Sequence, residues 1–525
     1  MKIVEVTADN FASKLPSILS AIDSAHFASF DTELSGLVLA KSSKNCVLDE
    51  AQGRYEKVRE SASSFCLLQF GLSLFIWNSS KTNYTSETYA FYLFPNRNTK
   101  SSNDANFVCQ ISTISFLTEY NFDFNKAFYK GIPFLSFHDE KKLREGHAKK
   151  QENSKEKSML EPQGNDKVFV EEQCKIVQQW VVKGARGVVE LSPCNSFQRL
   201  LLYQQLRSRF NDIQISKKNA DKGDISSLQI TKCTLSEAEK REEDEKDFEK
   251  KVKEMIGFRV VIDRLVSRRI PIVGHNCLLD LCHLYAKFIG PLPERWEDFK
   301  NFFRNSFPKV VDTKYIASCT NNIRDTGLPE LTARIKSISS LPLALDEGDG
   351  KEQFHNAGYD SLCTGRALIG LAFLEAKTAS VKNVIDSLFN GGNLGTQAAS
   401  ALNKVFVMLS DYPYFRLDIN DDVPDRSRVF YFGPPDRRIE GALLPDTLST
   451  NDIIKAAKSL IDTQKTFIEV IWINKASFFI ILEDQKHSIF LLKNDAFKNA
   501  LNISTNNDFT LMPYSKYSES LLNSY

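Results

Sequence analysis

The sequence predicts an α/β protein in which a larger mixed-sheet domain is interrupted by a small α/β insert and followed by a small α/β sandwich. Three observations predict this fold. Strand-like and helical segments alternate along residues 1–138 and again along residues 246–380. A charged stretch and a small group of helices separate these two runs, and after residue 400 the order becomes βαββα. The length of 525 residues is enough for about three to four domains.

The first part of the larger domain begins with buried strands. The segment SAHFASFDTELSGLV (24–38) predicts a buried strand that ends in a turn at Ser35 and Gly36. Two aromatic and branched segments, SSFCLLQFGLSLFIW (63–77) and TYAFYLFP (88–95), predict a pair of strands. Together they predict the start of a mixed sheet.

The middle of the chain is polar and charged. Residues 139–167 carry almost no apolar side chains, and this composition predicts a linker or disordered loop. Helical periodicity at 168–184 and 191–210, with a short strand at 225–233, predicts a small α/β insert. Opposite charges recur three and four residues apart along 235–256, which predicts a solvated connecting helix.

The α/β pattern then resumes. The predicted elements are, in order, an amphipathic helix at 258–269, a buried strand at 270–276, a helix at 277–290, a strand and its exit at 307–318, and a loop followed by a long helix at 355–379. In the C-terminal part, the predicted elements are strands at 427–433, 466–473 and 477–484, and helices at 448–461 and 494–501. Ser449 and Asp452 predict a capping box on the first of these two helices.

Composition excludes several classes of protein. With 42% hydrophobic and 25% charged residues, the chain is close to the average of soluble globular proteins and unlike collagen or a wholly disordered chain. The longest uncharged apolar run, Ala367–Leu374, is far below the ~18 residues of a membrane span, and no signal segment is expected at the N-terminus. Ten cysteines without a CxxC pair indicate reduced thiols in the cytosol or nucleus. A net charge of +1 neither favours nor excludes a nucleic-acid partner.

Asp31 and Glu33 form the first candidate site. On a strand, residues two apart point to the same face, so these carboxylates would repel each other in apolar surroundings. Such a pair is most stable where cations neutralise it, and hard oxygen ligands favour Mg²⁺ or Mn²⁺. An exposed acidic turn is an equally simple alternative.

Asp280, His355 and Asp360 are further candidates. Asp280 falls in the first turn of a predicted helix, where the helix dipole stabilises a carboxylate; helix capping is the alternative. His355 and Asp360 would lie roughly 140° apart on one helix, so both can serve one site only if His355 precedes the helix. By itself such a histidine is more often an ordinary surface or core residue.

The spacing of the possible zinc ligands argues against a zinc site. The candidates are His275, Cys277, Cys282 and His283, but the cysteines lie five apart on a predicted helix, and no second pair of ligands follows.

The chain contains Asp-x-Glu, then a further Asp, and then an Asp five residues after a His. This combined pattern is much more specific than any one of its parts. It resembles the DEDD exonucleases of the His-containing subclass. The segments FDTELSGL, LLQFGLSLF, GIPFL, VGHNCLLDLCH, PLPE, FPKVVDTKYIAS and FHNAGYDSLCTG are together similar to the poly(A)-specific ribonuclease family of the CAF1 superfamily. The resemblance covers nearly the whole chain.

This resemblance implies a domain plan. It comprises a ribonuclease H-like mixed-sheet exonuclease domain at 1–165 and 246–385, a small RNA-binding insert of the Arg-x-x-x-His type at 166–245, and an RNA-recognition-motif-like α/β sandwich at 400–515. The insert is degenerate, because Arg199 is followed by Tyr203 where the family pattern has His. Neither signature strand of the sandwich matches its consensus well.

The resemblance also implies a reaction, which is removal of nucleotides from an RNA 3′ end with release of nucleoside 5′-monophosphates. Asp31, Glu33, Asp280 and Asp360 would bind two Mg²⁺ ions, for which Mn²⁺ can substitute. One ion would activate water and the other would stabilise the leaving 3′ oxygen. His355 would act as the general base.

The implied substrate contacts are Ser35, Gly36 and Leu37 around the terminal nucleotide, Asn276, Lys314 near the scissile phosphate, and Trp472 on an mRNA cap. An ordinary turn, a surface lysine and a half-buried strand tryptophan are the simple alternatives. Leu34 stands where the family often has Phe, which weakens the prediction of a strict adenine preference.

Three functions therefore stay open. The first is a metal-dependent 3′-to-5′ exoribonuclease acting on poly(A) tails and 3′ extensions of small and noncoding RNAs. The second is a trimmer of Argonaute-bound guide RNAs with little adenine preference, and the third is a non-catalytic RNA-binding scaffold. The resemblance also implies a homodimer, and we expect an intracellular protein of the nucleus or cytoplasm that acts without a membrane.

Overall fold

The computed structural model describes residues 3–39, 45–95, 106–156, 160–210, 212–218, 227–232, 237–338, 340–343, 353–376, 380–392, 401–435, 443–461, 466–487, 492, 494–503 and 509–522. Its strands are β1 (Val4–Val6), β2 (Phe27–Leu34), β3 (Leu67–Asn78), β4 (Asn83–Tyr92), β5 (Val189–Glu190), β6 (Ile213–Lys218), β7 (Ser227–Lys232), β8 (Ile272–Gly274), β9 (Val310–Asp312), β10 (Lys404–Phe406), β11 (Tyr414–Arg416), β12 (Val429–Gly433), β13 (Ile468–Asn474), β14 (Ser477–Leu482) and β15 (Thr510–Pro513).

Its α-helices are α1 (Ala8–Ser24), α2 (Ala51–Ser64), α3 (Ile111–Glu119), α4 (Phe124–Lys130), α5 (Phe137–Glu156), α6 (Gly164–Val182), α7 (Ser196–Arg209), α8 (Glu237–Ile256), α9 (Arg259–Arg268), α10 (Leu278–Leu284), α11 (Trp296–Ser306), α12 (Thr313–Cys319), α13 (Leu328–Lys336), α14 (Ala357–Glu375), α15 (Val381–Phe389), α16 (Thr450–Ile461), α17 (Asn494–Ala500) and α18 (Tyr514–Leu522). A π-helical turn, Tyr285–Ile289, extends α10. Within the described part of the chain, no helix combines the length and apolar character needed to cross a lipid bilayer.

A six-stranded sheet in the order β1-β4-β3-β2-β8-β9 forms the centre of the larger domain. The pairs β2–β3 and β3–β4 are antiparallel, whereas β1–β4, β2–β8 and β8–β9 are parallel. The mixed α/β fold predicted from the sequence is therefore confirmed. Two segments far apart in the chain build this sheet, because β8 and β9 come from the part that follows the insert.

The long helix α14 packs across the centre of this sheet. All residues from 357 to 372 are buried, because the helix is covered by β2, β3 and β4 on one side and by other helices elsewhere. Gly71 of β3 makes the close approach possible, since a Cβ atom there would lie 1.8 Å from the carbonyl oxygen of Ala357. Helix α14 is the long helix that the sequence predicts after a loop.

The prediction of a linker or disordered loop at 139–167 is wrong for the described residues. Residues 137–156 form α5, and α6 begins at Gly164; residues 157–159 lie outside the described part. Some charges of α5 have partners: Arg144 pairs with Glu140 one turn away and with Glu249 of α8. His147 stacks on Phe248, with ring centroids 3.7 Å apart. Composition alone does not reveal a second helix that supplies these partners. Most of the α8 side chains that the structure describes are exposed, as predicted for a solvated helix.

The insert is a three-stranded sheet in the order β5-β7-β6, packed against α6 and α7 around its own apolar core. The helices predicted at 168–184 and 191–210 and the strand predicted at 225–233 are present. Strands β5 and β6 were not predicted, because one has only two residues and the other is largely polar and exposed.

The antiparallel hairpin β10–β11 belongs to the core of the larger domain. Val405, Tyr412 and Phe415 are buried within the same apolar cluster as β2 and α10. The sequence-based domain plan assigned residues 400–515 to the C-terminal domain, whereas apolar side chains of residues 401–417 pack in the core of the larger domain.

The C-terminal sheet has the order β13-β14-β12-β15. Helices α16 and α17 cover one face, and the capping box of Ser449 and Asp452 is present at the start of α16. The C-terminal helix α18 covers the other face, where Tyr517 stacks on Tyr431 with ring centroids 4.5 Å apart. The element order βαββα predicted for this region is found in the structure, and the strand β15 follows it.

Candidate active site

Carboxylates from two elements meet at one face of the central sheet. Asp31 and Glu33 of β2 and Asp360 of α14 each offer a carboxylate oxygen, and these oxygens lie within 4.8 Å of one another. Asp31 and Glu33 lie on one face of the sheet, as their spacing predicts, because alternate strand residues point to the same face. Asp360 joins them because α14 crosses this face of the sheet.

Asp280 lies beside this group, in the helix α10 that follows the neighbouring strand β8. Strand β8 pairs with β2 only at Ala28 and Ser29, so α10 begins beside the remainder of β2. There the hydroxyl of Thr32 donates a hydrogen bond to Asp280. The structure thus brings together all four acids predicted from the sequence.

Burial and mutual repulsion perturb these acids. Burial, followed by repulsion from Asp360 and Asp280, raises the pKa values of Asp31 and Glu33 well above their usual range. Burial also raises the pKa of Asp280 to about 6 and that of Asp360 to about 7. Four carboxylates in so small a volume are costly to ionise unless cations neutralise them.

The donor set fits hard divalent cations. All four side chains offer carboxylate oxygens, the ligands that Mg²⁺ and Mn²⁺ prefer. One oxygen of Asp360, Oδ1, is buried and has no hydrogen-bond partner among the described residues, while Oδ2 accepts the backbone N–H of His355 at 2.8 Å. An oxygen left without a protein donor in a cluster of anions is suited to bind a metal ion.

His355 lies in the turn immediately before α14, as its spacing from Asp360 required. Its backbone is left-handed, with a φ of 67°, and Asn356 caps the helix by accepting N–H groups from Gly358 and Tyr359. The imidazole packs edge-on against Phe116 and Tyr120, with ring centroids 4.5 Å and 4.0 Å away. Burial lowers the pKa of His355, so the neutral imidazole is favoured.

The predicted nucleotide-pocket loop is held by contacts with residues distant in the sequence. Ser35 is buried, and its hydroxyl donates to the carbonyl of Val108 and accepts the N–H of Cys66. Gly36 packs against Phe65, since a Cβ atom at Gly36 would lie 2.1 Å from that ring. These two residues therefore shape the loop.

Gln110 holds the exposed end of the same loop. Its side-chain oxygen accepts the N–H groups of Leu37 and Val38 at 2.9 Å and 3.1 Å. Leu37 is 52% exposed, so its side chain is accessible to a ligand. The sequence offered no signal for Gln110, which lies more than 70 residues from its partners.

Leu34 is only 4% exposed and lies in the main core, so its side chain offers little surface to a nucleobase in this structure. The weaker adenine preference inferred from Leu in place of Phe stays a prediction.

Asp312 organises the second side of the site. This buried carboxylate accepts the backbone N–H groups of Asn276, Cys277, Lys314 and Phe406 at 2.9 to 3.1 Å. It thereby joins the start of α10, which carries Asp280, to α12 and β10. The sequence analysis singled out the neighbouring lysine and missed Asp312; an acid at the end of a buried strand was the available signal.

Asn276 and Lys314 flank this carboxylate. Asn276 adopts a left-handed conformation, with a φ of 58°. The ammonium group of Lys314 lies 5.6 Å from the ring centroid of Phe406, a cation–π contact that orients the lysine. Lys314 is thus placed by β10, and Asn276 by the end of β9 that carries Asp312.

Trp472 lies on the C-terminal sheet, apart from the acidic cluster. It is 37% exposed at the edge strand β13, and its indole N–H donates to the hydroxyl of Thr450 at 3.0 Å. Its ring packs edge-on against Phe478, with centroids 5.1 Å apart. This environment matches the simple alternative given in the sequence analysis, a half-buried tryptophan on a strand.

Comparison with known proteins agrees with this geometry. The chain matches the family described as CAF1 family ribonuclease over residues 6–368. It is 28% identical over 531 residues to a Xenopus laevis protein named poly(A)-specific ribonuclease PARN, covering 96% of this chain and 80% of that protein. It is 30% identical over 454 residues to the Bombyx mori pre-piRNA 3′-exonuclease trimmer, covering 81% of this chain and 80% of that protein.

A mouse protein named poly(A)-specific ribonuclease PNLDC1 is 28% identical over 394 residues, covering 71% of each chain. The matched residues 6–368 include every element that contributes an acid to the cluster, together with the turn that carries His355. The chain therefore belongs to the CAF1 family of ribonucleases.

Proposed function

We propose that the protein is a divalent-metal-dependent 3′-to-5′ exoribonuclease that shortens single-stranded RNA 3′ ends and releases nucleoside 5′-monophosphates. The observation that carries this proposal is the convergence of four carboxylates, two buried and two half-buried, from β2, α10 and α14, in a member of a ribonuclease family. The names of the relatives, which include poly(A)-specific ribonucleases and a 3′-exonuclease, support the same class of reaction.

Asp31, Glu33, Asp280 and Asp360 would hold two Mg²⁺ ions, for which Mn²⁺ can substitute. When bound, the ions would supply positive charge that polarises the scissile phosphate and stabilises the leaving 3′ oxygen. The protein contributes a rigid carboxylate frame, because β2 and α14 are buried core elements and Asp312 and Thr32 anchor the start of α10.

The remaining residues of the site would handle protons and the RNA chain. His355, whose pKa is lowered by burial, would accept a proton from the attacking water. Lys314, oriented by Phe406, would contact the phosphate backbone together with Asn276. Leu37 would pack on the terminal nucleotide, while Ser35 and Gly36 hold the loop that presents it.

We assign auxiliary RNA-binding roles to the insert and the C-terminal domain. The order βαββαβ with the sheet β13-β14-β12-β15 supports an RNA-recognition-motif-like fold. The face of that sheet that carries Tyr431 and Phe479 is covered by α18, so RNA would bind another surface, for which Trp472 is the candidate contact.

We further propose a homodimer that uses the nuclease domain and the insert. Exposed apolar side chains on the insert helices support this, since Val168, Val182 and Phe197 are 59%, 81% and 54% exposed. Light scattering of the purified chain measures the oligomeric state directly; a monomer at micromolar concentration would contradict the dimer.

Two substrate classes are to be distinguished. The poly(A)-specific relatives favour adenine tails, whereas the 30% identity to a pre-piRNA trimmer favours the 3′ extensions of Argonaute-bound small RNAs. We propose that both kinds of 3′ end are substrates, encountered in the nucleus or cytoplasm.

The test compares purified wild type with Asp31→Ala on 5′-labelled RNAs of one length that end in A, U, C or G tracts, with Mg²⁺ or EDTA. Asp446→Ala, which changes an exposed acid of the C-terminal domain, is the matched control. Stepwise 3′ shortening that requires Mg²⁺ and Asp31 is the expected result, and the ranking of tails selects between the substrate classes. If folded wild type binds RNA but does not shorten it, the exoribonuclease proposal is contradicted. The remaining function would then be that of a non-catalytic RNA-binding scaffold.

A further inference from the structure

Three rings meet beside the acidic cluster. Phe116 lies in α3 and Tyr120 directly follows it, and their ring centroids are 4.8 Å apart. His355 packs edge-on against both rings, at interplanar angles of 74° and 61°. The imidazole is thus in contact with two side chains from a segment more than 200 residues away.

This contact is not a by-product of core formation. Phe116 is 39% exposed and Tyr120 is 48% exposed, and neither belongs to an apolar core cluster of the described residues. The only buried residue of α3 is Leu117. Two large aromatic side chains held at the surface beside a histidine therefore need an explanation other than burial.

The backbone of His355 is held from the opposite side. Its N–H donates to Asp360 Oδ2 at 2.8 Å, and its backbone is left-handed, with a φ of 67°. This arrangement fixes the Cα position but leaves rotation about the side-chain bonds free. Contact with two rings restricts that rotation, because other rotamers would lose the edge-on packing.

Helix α3 is itself anchored independently of His355. The backbone N–H of Gln110, which precedes the helix, donates to the carbonyl of Ser35 at 2.8 Å. Leu117 is buried against Phe122 and Phe124 in a small apolar cluster. The rings are therefore carried by a segment that is attached to β2 and to the protein core.

We propose that Phe116 and Tyr120 are positioning residues that hold the imidazole of His355 in the orientation needed for proton transfer. The inference rests on the proposed function, because it assigns a role to a side chain that acts in that reaction. A general base contributes only when it is aligned with the proton that it accepts. A stacking surface for a nucleobase is the competing role for the same two rings.

The two roles make different kinetic predictions. A positioning role predicts that Tyr120→Leu lowers kcat about 10- to 100-fold, as small misplacements of catalytic groups do, with KM changed by less than about threefold. Phe116→Leu should act in the same direction, and Tyr120→Phe should retain activity because it keeps the ring. A base-stacking role predicts a higher KM with kcat unchanged.

A second set of variants tests whether the effect of Tyr120→Leu on kcat depends on His355. In a His355→Ala background, Tyr120→Leu should cause no further loss of kcat, because there is no imidazole left to hold. An equal loss in both backgrounds would overturn the proposal. Tyr129→Leu, at a tyrosine of α4 that is 76% exposed, controls for the loss of a surface aromatic side chain.

A measurement without RNA or metal separates this inference from the proposed function. In histidine-selective NMR spectra, the ring protons of His355, assigned with His355→Gln, should be shifted by the two neighbouring rings. Tyr120→Leu should move these signals, and Tyr129→Leu should leave them in place. Unmoved signals would overturn the proposal. Inactivity of wild type on RNA would overturn the proposed function instead, and the same signals would still decide whether the rings hold the imidazole.

Discussion

The hydroxyl of Thr32 donates a hydrogen bond to the carboxylate of Asp280. Thr32 stands between the two acids of β2, so one short segment supplies two candidate ligands and also orients a third that comes from 248 residues further along the chain. Partners of this kind fix the position of a ligand before the metal binds.

Replacing Thr32 with valine should weaken metal binding. The variant keeps the shape of the side chain but loses the donor, and loss of such a partner typically costs about 10- to 100-fold in metal affinity. We expect the Mg²⁺ concentration for half-maximal activity to rise by this factor, while Thr32→Ser retains the wild-type value. An unchanged Mg²⁺ titration in Thr32→Val would show that the hydrogen bond does not orient Asp280.

The acidic cluster should make the stability of the metal-free protein depend on pH. In the folded protein the pKa of Asp360 is about 7 and that of Asp280 is about 6, whereas an aspartate in the unfolded chain has a pKa of about 3.9. Between these values the folded state binds more protons than the unfolded state, so stability falls as pH rises from about 4 to about 7.

Thermal unfolding in EDTA measures this dependence. Asp360→Asn removes one of the perturbed groups, so its Tm should fall less steeply than that of wild type over the same pH range. Mg²⁺ should raise the Tm of wild type at pH 7 and above, where the carboxylates are ionised. Parallel pH profiles for wild type and Asp360→Asn in EDTA would contradict the assignment.

Asp312→Ala should destabilise the larger domain. The substitution leaves four backbone N–H groups without their acceptor in a buried site, and we expect a loss of about 3 to 5 kcal/mol in the free energy of unfolding. Urea unfolding measures this change. The control Asp446→Ala, at an exposed position, should stay within about 0.5 kcal/mol of wild type. A similarly small effect of Asp312→Ala would mean that other acceptors replace it.

Gln110→Ala should loosen the loop that presents Leu37. The loop would lose the acceptor for two N–H groups, and we expect the KM for a single-stranded RNA to rise about tenfold, equivalent to about 1.4 kcal/mol. Gln110→Glu keeps the acceptor oxygens and should remain within about threefold of wild type. If Gln110→Ala lowers kcat and leaves KM unchanged, the loop does not contribute to substrate binding in the ground state.

The sequence by itself determined the α/β character of the fold, most of its helices and strands, and the four acids with their histidine. Hydrophobic periodicity is a local signal, so elements such as β2 and α14 can be read from consecutive residues. The spacing of Asp31 and Glu33 also acts locally, because a strand places alternate residues on one face. The position of His355 before α14 followed from its angular separation from Asp360.

Only the tertiary structure decided which residues support those acids. Thr32, Gln110 and Asp312 act on partners that are distant in sequence, and a hydrogen bond across such a separation leaves no periodic pattern in the chain. The same reason explains why α5 was not predicted, since Arg144 of α5 pairs with Glu249 of the distant helix α8. It also explains the burial of Leu34, which depends on packing between elements.

The C-terminal sheet shows most clearly which features the sequence predicts and which depend on the tertiary structure. The sequence predicted its strands from their aromatic and branched residues, but it did not reveal that α18 covers one face of the sheet. Nor did it reveal that Arg426 connects Tyr514 to Glu50 of the larger domain. Local sequence patterns determine where strands and helices form, whereas the surfaces that remain open for RNA depend on which elements pack together after folding.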